Sequence, residues 1–298
     1  MAVLIPAIAP VALIVFIGFI TGRTLGLERS TLTRLSLYVL LPALIASSLY
    51  TTTLAAQNAV DIVLGFALAS AILCGVVYSL CRIFQVDALL RKTLLATTLF
   101  ANTGNLGLPF ITFALGETGL ERAIVYLISS SILLTTTGPI LLKSKGLQVG
   151  LQVMLRLPVF WATVAGLVLL LGGISLPLRL DKGLELLGGA AIPVALVTLG
   201  MQLGQTSFRL TWAVVVAAVL RLVLAPAIAL GVAIVLGLQG QDLQVLVLQG
   251  AMPTAVNTFI WATEFGGDVE LVARAIVLST LLSAITLPSL LWGLLTFS

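Results

Sequence analysis

Histidine is absent from this sequence of 298 residues, and only two cysteines are present. Without histidine, the chain can form no Ser-His-Asp or Cys-His catalytic site, no histidine-ligated metal site and no histidine proton relay. A GxxxxGK[ST] motif is also missing, so the chain has no phosphate-binding loop for ATP hydrolysis. No pair of carboxylates lies within the apolar segments to act as a general base. We therefore expect no enzyme, no cofactor and no metal site.

The two cysteines, Cys74 and Cys81, lie seven residues apart in one apolar run. On a helix this spacing separates them by about 10 Å along the axis, which is too far for a disulfide. We interpret both as small buried apolar side chains.

Charged residues are scarce, at 9% of the chain, whereas 60% of the residues are hydrophobic. Soluble domains contain about 25% charged residues, so this chain has too little polar surface for a soluble domain. A bilayer span uses about 20 apolar residues, which predicts an all-α integral membrane protein with ten transmembrane helices. The predicted spans are 3–22, 31–50, 60–81, 93–115, 123–142, 157–176, 183–204, 212–237, 243–263 and 272–295.

Basic residues are distributed unevenly between the connections. With the N-terminus outside, the outer connections hold three of the fifteen basic residues, Arg122, Arg179 and Lys182, and the inner connections hold eleven. Because inner loops are enriched in Lys and Arg, we expect both termini outside a plasma or inner membrane. The formal net charge of +4 then reflects orientation in the lipid bilayer, and no nucleic-acid partner is expected.

The two halves of the chain resemble each other at an offset of about 150 residues. Leu41-Pro42-Ala43 matches Ile192-Pro193-Val194, and Arg122-Ala123-Ile124-Val125 recurs as Arg274-Ala275-Ile276-Val277. Each half has five spans, so the second half must enter the membrane inverted, as is typical of secondary transporters. This predicts one five-helix repeat at 1–142, a cytoplasmic connecting loop at 143–156 and an inverted five-helix repeat at 157–298.

Spans 4 and 9 occupy equivalent positions in the two repeats, and both are interrupted by Gly, Pro and polar residues. Unwound backbone at membrane depth is tolerated only where it is buried in protein or lines a cavity, and half-helix N-termini suit an anionic group. One alternative is a pair of proline kinks packed against their neighbours. Two interruptions in equivalent spans favour a substrate-binding site, with the candidates Asn102, Thr103, Gly104, Asn105, Gly107, Pro109, Pro253, Thr254 and Asn257.

These residues resemble those of the auxin efflux carrier family, which includes plant auxin exporters and bacterial permeases. The resemblance lies in Asn102-Thr103 followed by Gly107-Leu108-Pro109, and in Met252-Pro253 followed by Thr263-Glu264-Phe265-Gly266. Gly22–Leu27 before the Pro42 span and Arg221–Pro226 in span 8 are also similar to that family.

The resemblance implies a fold related to bile-acid symporters and Na⁺/H⁺ antiporters. It implies that spans 1, 2, 6 and 7 form a scaffold and that the other six spans form a moving transport domain. Substrate would bind where spans 4 and 9 cross, with elevator-type exchange of access. The chain lacks the long central loop of many plant carriers, and Asn257 stands where the plant pattern often has a second proline. Small carboxylates such as malonate or malate are therefore favoured over auxin.

Three ionisable residues are candidates for ion pairing or coupling. Arg221 lies near the middle of span 8, where an arginine costs about 2.5–3.5 kcal/mol. It could form a fixed ion pair or a carbonyl bridge to a broken helix, or it could be the counter-charge of a carboxylate. Asp61, near the start of span 3, resembles an acidic residue that supports the site in plant carriers; it could carry a proton or be an exposed helix-start residue. Glu264, at the end of span 9, could be a coupling residue or a solvated loop charge.

These observations predict a secondary transporter of small organic anions. Its expected partners are the anion, a coupling ion (H⁺ or Na⁺) and the lipid bilayer, with a homodimer possible through the scaffold helices. The nearest alternative is a sodium-coupled symporter of the bile-acid or bicarbonate type. An ion channel is a further alternative, because broken helices also line pores, but ten asymmetric spans are atypical of a channel.

Overall fold

The computed structural model describes residues 4–143, 147–205 and 210–297, and every regular element within these ranges is helical. The helices before residue 144 are α1 (Leu4–Thr24), α2 (Arg29–Leu35), α3 (Leu41–Thr51), α4 (Ala56–Ile83), α5 (Ala88–Leu99) and α6 (Leu108–Lys143), and α6 is broken at Gly116, where φ is 72° and ψ is −165°. Those after residue 146 are α7 (Leu147–Leu155), α8 (Pro158–Gly172), α9 (Leu180–Gly189), α10 (Ala191–Gln205), α11 (Trp212–Val219), α12 (Ala225–Val235), α13 (Gly240–Gly250), α14 (Thr258–Phe265) and α15 (Val269–Phe297). A 3₁₀ turn at Pro177–Arg179 precedes α9.

Five helical stretches in the described part of the chain are long and apolar enough to cross a membrane. They are Arg29–Thr51, Ala56–Ile83, Pro177–Gly204, Trp212–Val235 and Val269–Thr296, and they overlap predicted spans 2, 3, 7, 8 and 10. Shorter apolar helices cover Ile8–Thr24 and Pro158–Gly172, and they overlap predicted spans 1 and 6. The protein is therefore an all-helical, multi-pass membrane protein.

The connection predicted at 143–156 contains a helix of its own, α7. Nine residues are too few to span a bilayer, so a search for long apolar runs does not detect this helix. It packs closely on α6, because a Cβ added at Gly150 would lie 2.1 Å from the Thr136 carbonyl oxygen.

Three π-helical turns interrupt the described helices, and each ends two residues before a proline. The turns are Ser36–Leu40, Thr103–Gly107 and Leu220–Leu224, and the prolines are Pro42, Pro109 and Pro226. Proline has no N–H, and its ring clashes with the carbonyl four residues earlier. The residue before each proline instead donates its N–H to the carbonyl five residues back, which defines a π turn. Such turns occur frequently at functional sites.

Glycines allow α1 and α10 to approach each other at backbone distance. A Cβ at Gly18 would lie 2.2 Å from the Val197 carbonyl oxygen, and one at Gly200 would lie 2.0 Å from the Val15 carbonyl oxygen. Both helices carry a Gly-xxx-Gly pattern, which permits close helix packing in membranes. Helix α3 packs on α8 and α9 in the same way, through Gly166 and Gly188. We refer to α1, α2, α3, α8, α9 and α10 as the first helix group.

The second helix group consists of α4, α5, α6 and α11 to α15. Its helices pack on one another around α12 and α13, which both contact α4. Gly65 on α4 meets the Leu246 side chain of α13, and Gly250 of α13 meets Ala229 of α12. At its centre the Phe66 and Tyr126 rings pack edge to face, with their centroids 4.9 Å apart.

Candidate functional site

The two interrupted helices cross inside the second helix group and pair through their backbones. Helix α5 ends at Leu99 and α13 ends at Gly250, and the segments that follow them leave helical geometry. The Asn102 N–H donates to the Pro253 carbonyl at 2.8 Å, and the Ala255 N–H donates to the Phe100 carbonyl at 2.8 Å. This short antiparallel pairing satisfies backbone groups that would each cost several kcal/mol if left unpaired in lipid.

A cavity of about 170 Å³ lies beside this crossing. It lies between the two helix groups, because Leu41 and Val159 of the first group form part of its wall. The described residues that line it include no charged side chain. Its polar side chains are those of Asn102, Thr103, Asn105, Ser130, Ser131, Thr135 and Asn257, and Gly104 lines it as well.

Asn102 is a buried polar residue of this lining whose backbone is held on both sides. It is 3% exposed, and its backbone N–H and carbonyl are both bonded, to Pro253 and to the Gly107 N–H. Its side-chain Nδ2 has no hydrogen-bond partner among the described residues. Because buried polar groups are nearly always paired, an unpaired amide beside the cavity marks Asn102 as a candidate ligand-binding residue.

The beginning of the helical segment at Thr103 adds backbone donors. The first bond of the π turn runs from the Gly107 N–H to the Asn102 carbonyl, so the amides of residues 103–106 have no acceptor within their own helix. Such amides carry the positive end of the helix dipole, which attracts negative charge. Gly104 and Asn105 of this turn line the cavity. The arrangement suits a small anion.

Four of the sequence-predicted site residues do not line the cavity but hold the crossing together. Pro253 accepts the Asn102 N–H, and Pro109 follows the π turn at the start of α6. Thr254 donates its hydroxyl to the Thr97 carbonyl at 2.8 Å, and its N–H donates to Ser279 Oγ at 3.1 Å. Gly107 provides room for the buried Gln249 side chain, because a Cβ there would lie 2.3 Å from Gln249 Oε1.

Arg221 lies in the π turn between α11 and α12 and is 2% exposed. Its Nη1 donates to the Thr98 carbonyl and its Nη2 donates to the Gly250 carbonyl. These carbonyls belong to the C-terminal ends of α5 and α13, which carry the negative ends of the helix dipoles. The sequence left open a fixed ion pair, a carbonyl bridge and a counter-charge for a carboxylate. The observed contacts of Arg221 are those of a carbonyl bridge.

Arg221 nevertheless remains a buried charge close to the cavity. No ion pair among the described residues includes it, and its Nε has no partner there. It lines a small void of about 20 Å³ together with Ala101 and Ser130, which also line the cavity. The guanidinium therefore contributes positive potential to the cavity without lining it.

Of the other ionisable candidates, Asp61 does not line the cavity. Asp61 is partly exposed on α4 and accepts a hydrogen bond from Gln57 at 2.8 Å. The side chain of Glu264 lies outside the described part of the chain. A different carboxylate is buried: Asp242 at the start of α13 accepts from Arg122 Nε at 2.5 Å and from Asn58 Nδ2. This cluster links α4, α6 and α13.

Sequence reasoning did not include Ser130, Ser131, Thr135 and Gln249. The first three lie on α6 opposite the crossing, and Thr103 Oγ1 is 3.4 Å from Ser130 Oγ. A run of three serines followed by three threonines within an apolar span is a signal that could have identified the first three. Gln249, fully buried with both side-chain amide atoms unpartnered among the described residues, directly precedes the second interruption.

Comparison with known proteins agrees with this picture. The family model described as "Membrane transport protein" matches residues 3–153 and 147–291. An "Uncharacterized transporter" of Methanothermobacter thermautotrophicus is 31% identical over 95% of each chain. A "Putative malonate transporter" of Rhizobium meliloti is 27% identical over 94% of this chain and 92% of its own length.

The similarity extends to plants. "Auxin efflux carrier component 8" of Arabidopsis thaliana is 27% identical over 42% of this chain and 34% of its own length. This agrees with the resemblance carried by the residues of spans 4 and 9. The protein is thus a membrane transporter and not an enzyme, and it belongs to the membrane transport protein family that includes the auxin efflux carriers.

Proposed function

We propose that the protein is a secondary active transporter of small organic anions, with carboxylates as the substrate class. The observation that carries this proposal is the cavity beside the crossing, which is lined by amides and hydroxyls. Among its lining residues is Asn102, whose buried Nδ2 has no partner in the described part of the chain. Neutral donors, the free amides of residues 103–106 and the buried Arg221 all favour a negative charge in this position.

The substrate is small. A cavity of about 170 Å³ suits a compact acid, and its amide and hydroxyl lining can donate hydrogen bonds to more than one carboxylate oxygen. One relative carries the name "Putative malonate transporter". Malonate is therefore the first substrate to test, followed by malate.

Elevator-type exchange of access is the transport mechanism we propose. The first helix group corresponds to the scaffold of spans 1, 2, 6 and 7, and the second group corresponds to the transport domain. Support comes from the close glycine packing within the first group and from the cavity's position between the two groups. A site at such a boundary can be exposed to either side when one group slides past the other.

Ten spans in two inverted repeats complete the proposed architecture. The crossing pairs one segment of each proposed repeat, through the Asn102–Pro253 and Ala255–Phe100 bonds. The two carbonyls that Arg221 binds belong to Thr98 and Gly250, which are 152 residues apart. Arg122 and Arg274 are separated by the same 152 residues. This shared offset supports the repeat. We propose both termini outside the plasma membrane, with a homodimer formed through scaffold helices.

Either H⁺ or Na⁺ could drive the transport. Asp61 and Glu264 remain candidates for coupling, and the partly buried Asp242–Arg122 pair is an additional one, because its helices α13 and α6 both carry residues of the crossing. A requirement for Na⁺ would indicate the sodium-coupled symporter mechanism, and a requirement for a pH gradient would indicate proton coupling.

Thermal unfolding of the detergent-purified protein tests the proposal. Malonate, malate, bicarbonate and indole-3-acetate are each titrated with and without Na⁺. We expect saturable stabilisation by malonate, and its loss in Asn102→Ala, because a hydrogen bond to a charged group contributes about 1.5–3 kcal/mol, or about 10- to 150-fold in affinity.

A matched pair of serine variants separates an effect on binding from an effect on folding. Ser130→Ala removes a hydroxyl from the cavity lining, whereas Ser129→Ala is the matched control, since Ser129 donates to the Val125 carbonyl and does not line the cavity. Ser130→Ala should weaken malonate binding and Ser129→Ala should not. The assignment of the site is wrong if Asn102→Ala folds and binds like the wild type. The substrate class is wrong if no carboxylate stabilises the protein or is transported into proteoliposomes.

A further inference from the structure

A second cavity, of about 410 Å³, forms a groove between α1 and α15. On α1 it is lined at helical spacing by Ile8, Val11, Ala12, Val15, Phe16 and Phe19. The opposite wall is the stretch 280–288 of α15, and Leu106 and Phe110 form the floor. Phe16 and Leu281 are more than half exposed, so the groove opens on the surface of the molecule.

The groove has the length of one membrane leaflet. From Ile8 to Phe19 is eleven residues along α1, or about 16 Å at the helical rise. The hydrocarbon core of a bilayer is about 30 Å thick, so one leaflet contributes about half of this. The lipid chains that surround a membrane-spanning helix have access to an open apolar groove of this length.

A cation lies at one end of the groove. The guanidinium carbon of Arg23 lies over the Phe19 ring, 4.4 Å from its centroid, one helical turn beyond the last groove residue of α1. Arg23 is exposed, and no ion pair among the described residues includes it. Its position at the end of α1, in the last turn, is that of a residue at the lipid headgroup level.

We propose that this groove binds one acyl chain of an anionic phospholipid whose phosphate contacts Arg23. The apolar walls accommodate the chain, and the guanidinium provides a hydrogen-bonding fork that matches phosphate geometry. The ligand lies between α1 of the first helix group and α15 of the second, so it occupies the boundary along which the two groups would move.

The floor of the groove connects this lipid to the crossing. Leu106 belongs to the π turn at Thr103–Gly107, and the neighbouring Gly104 and Asn105 line the cavity on the other side. A chain in the groove therefore packs against the back of the turn that carries the cavity. Loss of the lipid should loosen this turn and lower the thermal stability.

The test uses the full-length, delipidated protein in a neutral detergent without any substrate. Phosphatidylglycerol is titrated and the Tm is followed, with phosphatidylcholine of the same acyl chains in parallel, and native mass spectrometry counts the bound lipids. We expect phosphatidylglycerol to stabilise the wild type at a concentration about five-fold lower than phosphatidylcholine, since one basic residue near a lipid surface contributes this factor.

Two pairs of variants locate the effect. Ala284→Trp fills the groove from α15, and Ala71→Trp is the control, since Ala71 is an exposed alanine of α4 outside the groove. Arg23→Gln removes the headgroup contact, and Arg82→Gln removes an exposed arginine at the end of α4. Ala284→Trp should abolish stabilisation by both lipids, and Arg23→Gln should abolish only the preference for phosphatidylglycerol.

Three results would overturn the proposal. Unchanged lipid stabilisation in Ala284→Trp would exclude the groove as the site. Equal stabilisation of the wild type by both lipids would exclude recognition of the anionic headgroup. Equal effects of Arg82→Gln and Arg23→Gln would indicate that lipid binds around the whole protein. Because no substrate is used, each of these results is independent of the proposed transport function.

Discussion

Thr103 and Thr254 are both buried and both lie in an interrupted helix, but their side chains do different things. Thr103 lines the cavity and approaches Ser130. Thr254 uses its hydroxyl and its N–H to hold the crossing, by donating to Thr97 and Ser279. At the level of single residues, the nine candidates therefore divide into residues that line the cavity and residues that keep its backbone in place.

The two glycines of the first interruption give a prediction that separates these roles. A Cβ at Gly104 would lie 3.6 Å from Leu127 Cδ1, an ordinary contact, whereas one at Gly107 would lie 2.3 Å from Gln249 Oε1. Gln249 is fully buried, so it has little room to turn away. We expect Gly107→Ala to lower the free energy of unfolding by about 1–3 kcal/mol, measured by thermal or chemical unfolding.

Gly104→Ala is the matched variant, because it adds the same methyl group to the same turn. It should fold with a Tm close to that of the wild type but bind malonate more weakly, since both Gly104 and Leu127 line the cavity. Equal destabilisation by the two substitutions would contradict this division of roles.

Arg221 gives a second prediction at this scale. Lysine keeps the charge but has no planar fork to bridge two carbonyls on different helices. Because hydrogen bonds to a charged group contribute about 1.5–3 kcal/mol each, we expect Arg221→Lys to lower stability by at least about 1.5 kcal/mol, read from the Tm. Arg82→Lys, at the exposed end of α4, is the control. A wild-type Tm for Arg221→Lys would show that the carbonyl bridge does not stabilise the crossing.

At the scale of elements, the closest packing is between α1 and α10. The Cβ positions of Gly18 and Gly200 would lie 2.2 and 2.0 Å from backbone carbonyl oxygens of the opposite helix. Backbone cannot move aside as a side chain can, so any substitution must separate the helices. Between helices in lipid there is no hydrophobic driving force, so association depends on van der Waals packing. Small residues at the crossing allow this packing to be close.

Substitution of these glycines should therefore disrupt the first helix group. We expect Gly18→Val and Gly200→Val each to cost about 3 kcal/mol or more, at the upper end of overpacking effects. The expected signs are a lower Tm and a broadened elution profile in size-exclusion chromatography. Gly293→Val is the control, because a Cβ at this position in α15 would have no neighbour within 4 Å. The packing model is wrong if Gly18→Val behaves like Gly293→Val.

At the scale of the whole molecule, the distribution of basic residues predicts the orientation in the membrane. The prediction is that both termini lie outside, which places the connection between α3 and α4 outside and the one between α4 and α5 inside. The two native cysteines are unpaired and can be replaced by alanine to give a background for labelling.

Single cysteines test this orientation. Thr53→Cys, between α3 and α4, should react with a membrane-impermeant maleimide in intact cells, because Thr53 is exposed and on the predicted outer side. Phe84→Cys, directly after α4 and 74% exposed in the wild type, should react only after permeabilisation. The reverse pattern of labelling would contradict the orientation.

Much of the fold could be predicted because the relevant signals are local. The stretches Arg29–Thr51 and Trp212–Val235 are recognisable from hydropathy alone, since each residue contributes to membrane partition independently of its neighbours. The positions of the two interruptions are equally local, because Pro109 and Pro253 remove donors wherever they stand in a helix. Helix α7 was missed, since a short helix has no such signature.

Much less of the candidate site could be predicted. Ser130 faces the crossing, and Gln249 fills the space beside Gly107. Neither contact can be predicted from the residues next to Ser130 or Gln249 in the sequence. The carbonyls that Arg221 binds lie 123 and 29 residues away from it along the chain. Whether a buried polar side chain has a partner depends on such distant residues.

A helical membrane protein with two interrupted helices could be predicted from the amino-acid sequence alone. Composition, hydrophobic run length and proline chemistry act on each segment separately, so they can be read without knowing the packing. That Asn102 and Asn257 line a cavity whereas Pro253 and Thr254 hold the crossing is visible only in the three-dimensional structure. That division arises from backbone bonds and packing between segments about 150 residues apart, which local chemistry does not specify.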